Sequence, residues 1–450
     1  MKIIKRLILI LSFSLSTLIS QRVVGYYPYW MQNEFPVNDI DMTVVTHVIH
    51  AFGWPDQNGN VLSYSNIFNS NISEIIHDEG RMFLLSLGGW GNDVGFPIVS
   101  ASSELRETFI NNLIDICDNY GYDGVDIDWE FPQSISEKNN LNLLISEMDS
   151  MFYIHNPTLL ITMAVPTSNW FGQWYDFEYL KNYIDFFNAM TYSAHGSWSN
   201  HAGHNAPLYQ SPPGDPDGSC HTGINYLVNT RGIPESQINM GLPFWGLQYN
   251  SSGINESFTG NVVDKRYYEI PSLIGNGWTY QWDSVAYCPY LVKDDQTEIL
   301  TFDDPESIRY KCEYAIEKDL GGVMIWALGY DMTGNGQELI QSIAQNYLGS
   351  ESEQNAIIPT HLSLKAYPNP FNPVTTLRYD LPENCHVNIT IYDMLGREVK
   401  TLINQTQDAG YRSVIWNATN DYGKPVSAGI YLYQIQAGGY MQTKKMVLLK

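Results

Sequence analysis

The sequence predicts an α/β protein: a (β/α)8 barrel of the TIM type with a small α+β insertion between strands seven and eight, followed by a small all-β sandwich. Three observations carry that expectation. Eight short apolar segments between residues 23 and 347 alternate with stretches long enough for helices, the pattern of a parallel sheet, and eight such units can close a barrel. The stretch from Trp245 to about Glu298 is too long for a simple loop and is rich in aromatic residues. Beyond a polar, aperiodic run at 348–360, short strand-like segments separated by Pro, Gly and Asn take over at the spacing of a sandwich.

Taken in order, the expected barrel strands are Val23–Tyr29, Val44–Phe52, Met82–Leu87, Gly124–Glu130, Leu159–Pro166, Phe186–Tyr192, Ile238–Phe244 and Gly322–Ala327. An open doubly wound sheet is the rival arrangement, but no glycine-rich phosphate loop opens a helix. The last crossover helix is bracketed by Asp304 as cap, Pro305 in the first turn and Gly321 after the end. The insertion, about 246–298, holds the cluster Trp278, Tyr280, Trp282, Tyr287 and Tyr290. Sandwich strands are expected at Thr375–Leu381, Val387–Tyr392, Tyr411–Asn417, Gly429–Gln436 and Gln442–Leu449. The expected organisation is residues 1–20 as a signal peptide, 21–347 as the barrel, 348–360 as a linker and 361–450 as the sandwich.

The signal peptide rests on Lys2, Lys5 and Arg6 preceding an apolar run from Leu7 to about Ile19. A membrane anchor is the alternative, but the run falls short of the roughly 20 residues a spanning helix needs. The net charge of −24 is uneven: residues 361–450 carry +3 and residues 1–360 carry −27. So acidic a surface repels nucleic-acid phosphates and anionic membranes, and points to a neutral polymer as partner. Aromatic residues form 13% of the chain, and where they lie near Gly and Pro loops they suit stacking on sugar rings as well as core packing. Five cysteines do not make a disulfide framework. Cys117 and Cys312 fall on apolar helix faces, while Cys220 and Cys288 lie in loop-like segments where pairing stays open.

The most informative stretch is Asp123-Gly-Val-Asp126-Ile-Asp128-Trp-Glu130. Residues two apart in a strand share a face, so Asp126, Asp128 and Glu130 point one way and Val125, Ile127 and Trp129 the other. In a barrel the acids enter the interior. Three carboxylates in a low-dielectric interior repel one another, which keeps at least one proton on the cluster near neutral pH. That is the condition for general-acid catalysis, and Glu130, nearest the C-terminal mouth, is the expected proton donor. A hard cation is the other chemistry such a cluster can serve. A solvated acidic face does not explain the apolar residues between the acids.

With these residues the chain resembles the family 18 glycoside hydrolases, the chitinase-like group, over roughly residues 22–347. Further segments resemble the family's motifs in the expected order: Ser86-Leu-Gly88-Gly89-Trp90 at the third strand, Met190-Thr-Tyr192 at the sixth, Gly241-Leu-Pro243-Phe-Trp245-Gly246 at the seventh and Gly321-Gly-Val-Met-Ile-Trp326 at the eighth. The resemblance implies a retaining chitinase that uses the substrate's own N-acetyl group as nucleophile, with no cofactor and no metal. Glu130 would serve as acid and then base. Asp128, backed by Asp126, would orient the acetamido group, and Tyr192 would hydrogen-bond its carbonyl. Trp326 would form the floor under the reacting sugar, with Tyr27, Phe52, Gly89, Trp90, Met190 and Trp245 lining the same region. Ser86 reads as hydrogen-bond support and not as a nucleophile. The implied partners are chitin or N-acetylglucosamine oligosaccharides and no nucleic acid. An endo-β-N-acetylglucosaminidase acting on glycoprotein or peptidoglycan glycans and a non-catalytic chitin-binding lectin are the alternatives. Two positions depart from the family pattern: Ser193 stands where many members have Asp, and Trp245 where Tyr is common. The pair His201 and His204 is weak evidence for a metal, and none is assigned.

Residues 361–450 resemble the C-terminal sorting domains of bacterial type IX secretion, through Tyr367-Pro-Asn-Pro370-Phe-Asn-Pro373, Ile391-Tyr-Asp-Met-Leu-Gly-Arg397, Ala428-Gly-Ile-Tyr431 and the basic segment Lys444–Lys450. That resemblance implies a secreted or cell-surface protein that engages outer-membrane secretion machinery. A carbohydrate-binding or spacer sandwich is the alternative.

Overall fold

The computed structural model describes residues 21–348 apart from 65, 66 and 335, and residues 363–449 apart from 368, 382, 408 and 409. The expected signal peptide and most of the expected linker lie outside the described residues. The chain divides into two compact units, Met1–Ser350 and Glu351–Lys450.

The first unit is a closed parallel barrel. Its strands are β1 (Arg22–Pro28), β2 (His47–Pro55), β3 (Met82–Gly88), β4 (Gly124–Asp128), β5 (Leu160–Val165), β6 (Phe186–Ala189), β7 (Ile238–Pro243) and β8 (Gly322–Trp326). Each pairs in parallel with its neighbours in sequence, and β8 pairs with β1 to close the ring. The strands are aliphatic runs because both faces are buried. Alternation divides each strand between two packings. Val24, Tyr26, Ile49, Phe52, Leu84, Phe186 and Met324 form one cluster inside the barrel. Val23, Tyr27, Val48, Leu85, Val125, Ile127 and their neighbours pack outward against the helices.

Those helices are set by local signals. In α1 (Ser103–Tyr120), the Ser102 side chain caps the Leu105 N–H, and Gly121 ends the helix in the left-handed region at φ 71°. In α2 (Ile135–His155), Ser134 caps the start, and Leu141, Leu144, Ile145, Met148 and Phe152 form the buried stripe. In α3 (Pro305–Glu317), Asp304 caps and Pro305 occupies the first turn, but the helix stops before Gly321. Gly321 is needed for a different reason: a Cβ there would lie 2.1 Å from the Ser236 carbonyl oxygen.

Two C-terminal strand ends fall short of their expected positions by two residues or more. β4 stops at Asp128, not Glu130: the bond from the Gly89 N–H to the Asp128 carbonyl at 2.8 Å is its last rung with β3. β6 stops at Ala189, so Met190 and Tyr192 lie in the loop beyond it. Between β7 and β8 the insertion is a five-stranded antiparallel sheet, in spatial order Thr259–Arg266, Trp245–Asn250, Ile299–Thr301, Cys288–Lys293 and Trp278–Asp283. Its only helical turns among the described residues are the short 3-10 turns Tyr267–Glu269 and Pro271–Leu273. Cys220 and Cys288 are thiols, both directed at the Ala206 carbonyl.

The second unit is two antiparallel sheets, one of Ser363–Tyr367, Thr375–Leu381 and Gly410–Trp416, the other of Cys385–Asp393, Glu398–Gln407, Gly429–Ala437 and Tyr440–Leu448. Its core of Leu377, Tyr379, Ile389, Ile391, Trp416, Tyr433 and Met446 shares no residue with the barrel core. Separate cores make separate cooperative units. A chain ending at Ser350 is therefore expected to keep the barrel's thermal unfolding midpoint within about 2 °C by calorimetry.

Candidate active site

The barrel axis is occupied by a carboxylate with four donors. Asp126, fully buried on β4, accepts from Thr162 Oγ1 at 2.6 Å, Tyr26 Oη at 2.8 Å, Ser86 Oγ at 3.0 Å and Asn188 Nδ2 at 3.1 Å. These donors come from β5, β1, β3 and β6. Asn188 is fixed in turn by Asn239 on β7 at 2.9 Å, and Asn239 accepts from Arg22 Nε at 3.0 Å. Burial raises the Asp126 carboxyl above its ordinary range, and the four donors pull the other way.

One step toward the mouth, Asp128 is also buried, and its Oδ1 has no hydrogen-bond partner. Burial, then the charges of Glu130 and Asp126, hold its carboxyl well above the usual range. Glu130 lies just past the strand end and is partly exposed. Burial, reinforced by the charge of Asp93, pushes its carboxyl up to about 7, against a hydrogen bond from the Trp90 backbone N–H. The site thus holds a group that gives and takes a proton near neutrality beside a buried oxygen awaiting a donor. The Tyr192 phenol is raised well above its ordinary value by burial and by Asp128, Glu130 and Asp126, so it stays protonated as a donor beside the acids. Trp129, opposite in phase, stacks on Phe96 at 5.3 Å, and its carbonyl accepts from Tyr175 Oη at 2.7 Å.

An aromatic surface faces the acids. Trp326, at the end of β8, stacks with Phe52 at 5.7 Å and meets Tyr26 edge-on at 5.5 Å. Trp30 meets it edge-on at 6.3 Å and donates Nε1–H to Tyr330 at 3.0 Å. Trp245 meets Tyr192 edge-on at 5.0 Å, Met190 packs on the inner cluster, and Trp90 is largely exposed. Gly89 allows the close approach of Phe52, since a Cβ there would lie 2.7 Å from the ring and φ is +79°. The structure does not bring Tyr27 to this region. Its hydroxyl donates to the Phe35 carbonyl at 2.7 Å in the outer layer, and Tyr26, one residue earlier, takes the inward position. Tyr26, Thr162, Asn188, Trp30 and Asp93 are the participants that the motifs do not single out. Thr162 and Asn188 did leave a signal, as lone polar residues inside apolar strands.

Residues 22–331 match the family described as glycosyl hydrolases family 18, and residues 365–449 match the secretion system C-terminal sorting domain. The chain is 28% identical over 399 residues to chitinase A1 of Niallia circulans, spanning 69% of this chain and 57% of that protein. It is 29% identical over 346 residues to a probable endochitinase of Caenorhabditis elegans, spanning 68% and 55%. The chain thus spans little more than half the length of these two curated relatives. The crystal structure of the Ostrinia furnacalis group IV chitinase superimposes with a TM-score of 0.68 at 26% identity, covering 73% of this chain and all of that one.

The raised Glu130 carboxyl has a stability consequence with a definite sign. A group whose folded pKa lies above its unfolded value costs the fold stability progressively as pH rises from the unfolded value through the folded one, and the loss is complete above the folded value. Glu130→Gln is therefore expected to unfold at higher temperature than the wild type at pH 8, by the equivalent of about 1–3 kcal/mol. The two proteins should converge near pH 4, where Glu130 is protonated in the fold. Thermal melts across pH check this.

Proposed function

The chain belongs to family 18 of the glycosyl hydrolases, and from that premise we propose that it is a secreted retaining chitinase cutting β-1,4 bonds between N-acetylglucosamine units. The observation that carries this reading is the partnerless buried Oδ1 of Asp128 beside a Glu130 that titrates near 7. Substrate supplies what that oxygen lacks: the N–H of the acetamido group on the reacting sugar. Held there, with its carbonyl oxygen accepting from Tyr192, the acetamido group is aimed at the anomeric carbon.

Glu130 gives its proton to the glycosidic oxygen as that C–O bond breaks, and the acetamido oxygen forms the new bond, giving a cyclic oxazolinium ion. The carboxylate charge of Asp128, supported from below by Asp126, offsets the positive charge that develops on the ring. Glu130, now ionised, takes a proton from water. The water oxygen adds to the anomeric carbon from the face the leaving group left, and the ring reopens with retention. Trp326 provides the stacking floor, with Phe52 behind it. Ser193, exposed and at φ 55°, leaves the acids without the additional carboxylate common at that position in the family. The proposal extends to export: the C-terminal unit is the address read by outer-membrane secretion machinery.

Two outcomes test this reading. Wild type is expected to release chromophore from an N,N′-diacetylchitobioside but to leave cello-oligosaccharides intact. Glu130→Gln should lose roughly 10²–10⁴-fold in kcat while still binding chitin oligosaccharides. Because the acid must start protonated, kcat/KM should fall as pH rises above about 7. No turnover at any pH despite tight oligosaccharide binding would leave a lectin. For export, residues 361–450 fused to an exported reporter should carry it to the cell exterior in a bacterium with type IX machinery. Retention of that fusion in the periplasm would remove the sorting role.

A further inference from the structure

The segment joining β6 to β7 gathers a second set of ligating side chains, outside the carboxylate site. His195, His201, Asp215 and Asp217 each offer one ligand atom, and these atoms lie within 4.8 Å of one another. His195 Nε2 is 3.1 Å from Asp215 Oδ2 and 3.8 Å from Asp217 Oδ2, and His201 Nε2 is 3.4 Å from the same Asp215 oxygen.

The other ring nitrogens decide what these contacts mean. His195 Nδ1 lies 2.9 Å from the His204 carbonyl oxygen, and His201 Nδ1 lies 3.3 Å from that of Ala202. A carbonyl only accepts, so each Nδ1 carries the hydrogen. In the neutral rings, both bare Nε2 lone pairs are then directed at one carboxylate oxygen. The His195 and Asp215 side chains are 1% and 0% exposed, so water does not relieve this meeting of acceptors. A cation placed between them would satisfy both nitrogens and the shared oxygen at once. One divalent cation satisfies all four groups with no net charge, since two carboxylates balance it and both imidazoles stay neutral. An Nδ1–H held on a backbone carbonyl is also the usual support for a metal-bound histidine.

We propose that His195, His201, Asp215 and Asp217 bind one divalent transition-metal ion, zinc by its donor set, in a closed structural site. Tetrahedral bonds of about 2.0–2.1 Å separate neighbouring ligand atoms by about 3.3 Å, close to the spacings here. Two imidazoles with two carboxylates suit zinc better than calcium or magnesium, which take oxygen ligands. The surroundings are built to hold the ligands in place. Gly203 lies against the His195 ring, where a Cβ would come within 2.1 Å of Cδ2. The Asp217 N–H donates to Asp215 Oδ1 at 3.0 Å, which leaves Oδ2 for the ion. His204 is not a ligand. Its Nε2 meets Asp283 Oδ2 at 3.2 Å and ties the segment to the insertion.

The ion would join the start, middle and end of residues 195–217 and take no part in bond cleavage. Asn205, within that span, accepts from the Ser193 N–H at 2.9 Å and donates to the Trp245 carbonyl at 3.1 Å. The metal therefore stiffens the segment that follows Tyr192 and supports Trp245.

The full chain, stripped with EDTA, desalted and titrated with ZnCl2, tests this. We expect one zinc per chain by elemental analysis after gel filtration. We also expect a fall of about 3 °C or more in Tm on stripping that zinc restores. Cobalt(II) in its place should give the intense visible bands of a tetrahedral site. His201→Gln and Asp217→Asn, whose side chains are 21% and 23% exposed, should keep the wild-type circular dichroism yet bind zinc about 100-fold or more weakly. Sub-stoichiometric zinc with a chelator-insensitive Tm would overturn the site, as would full binding by both variants. Calcium restoring Tm where zinc does not would overturn the assignment to zinc. None of these readouts depends on the chitinase reading.

Discussion

The barrel closes around one buried carboxylate. Taking a charge such as Asp126 out of water is costly unless hydrogen bonds replace the lost solvation, and here four of the other seven strands each supply a donor. That requirement fixes side chains on strands far apart in sequence at the same height in the barrel. It also orients Asn188, and through it Asn239 and Arg22, so a polar thread runs from the axis to the wall. Everything nearer the mouth is organised above this layer: first Asp128, with less compensation, then Glu130, with less burial. The gradient from satisfied to unsatisfied acid gives three chemically similar side chains three different environments.

Much of this was legible from alternation and spacing, and the exceptions share physical causes. Period two is a sound guide as far as Asp128, because the ladder with β3 holds to that point and the ladder with β5 to Ile127. Beyond Asp128 the strand has ended, the Gly89 N–H to Asp128 carbonyl bond being the last rung with β3, so Glu130 lies outside the regular alternation. For Tyr26 and Tyr27 the alternation holds, but its phase is not marked in the sequence. A strand buried on both faces is apolar throughout, so nothing in Val23–Tyr29 marks which tyrosine turns inward. Thr162 and Asn188 are small polar residues inside apolar strands, and their role depends on which strands meet across the barrel. Partners of that kind are set by closure and not by local pattern. The same holds for His195, whose relation to Asp215 depends on the path of a long loop.

The two long excursions from the barrel, at 193–219 and 245–301, are joined through Asp283. It accepts from Ser211 Oγ at 2.6 Å and meets His204, and these contacts, led by the His204 hydrogen bond, hold its carboxyl well below the usual range despite burial. Asn205 makes a second link through the Trp245 carbonyl. The loop 193–219, which has little regular structure, is thereby tied to the sheet of the insertion beside Trp245. In the proposed chemistry, such fixity is what keeps a reacting sugar within bond-forming distance of its own acetamido oxygen.

The placement of Glu130 past the end of β4 has an evolutionary corollary. Selection for folding acts on Asp126 and its donors, whereas in the proposed chemistry selection for bond cleavage acts on a side chain that the strand does not need and that costs stability when ionised. A descendant released from the demand for catalysis would gain stability by replacing Glu130 with a neutral residue and would keep its aromatic groove. On the proposed chemistry this barrel is one substitution away from binding sugar without cleaving it, and drift would favour that direction over the return.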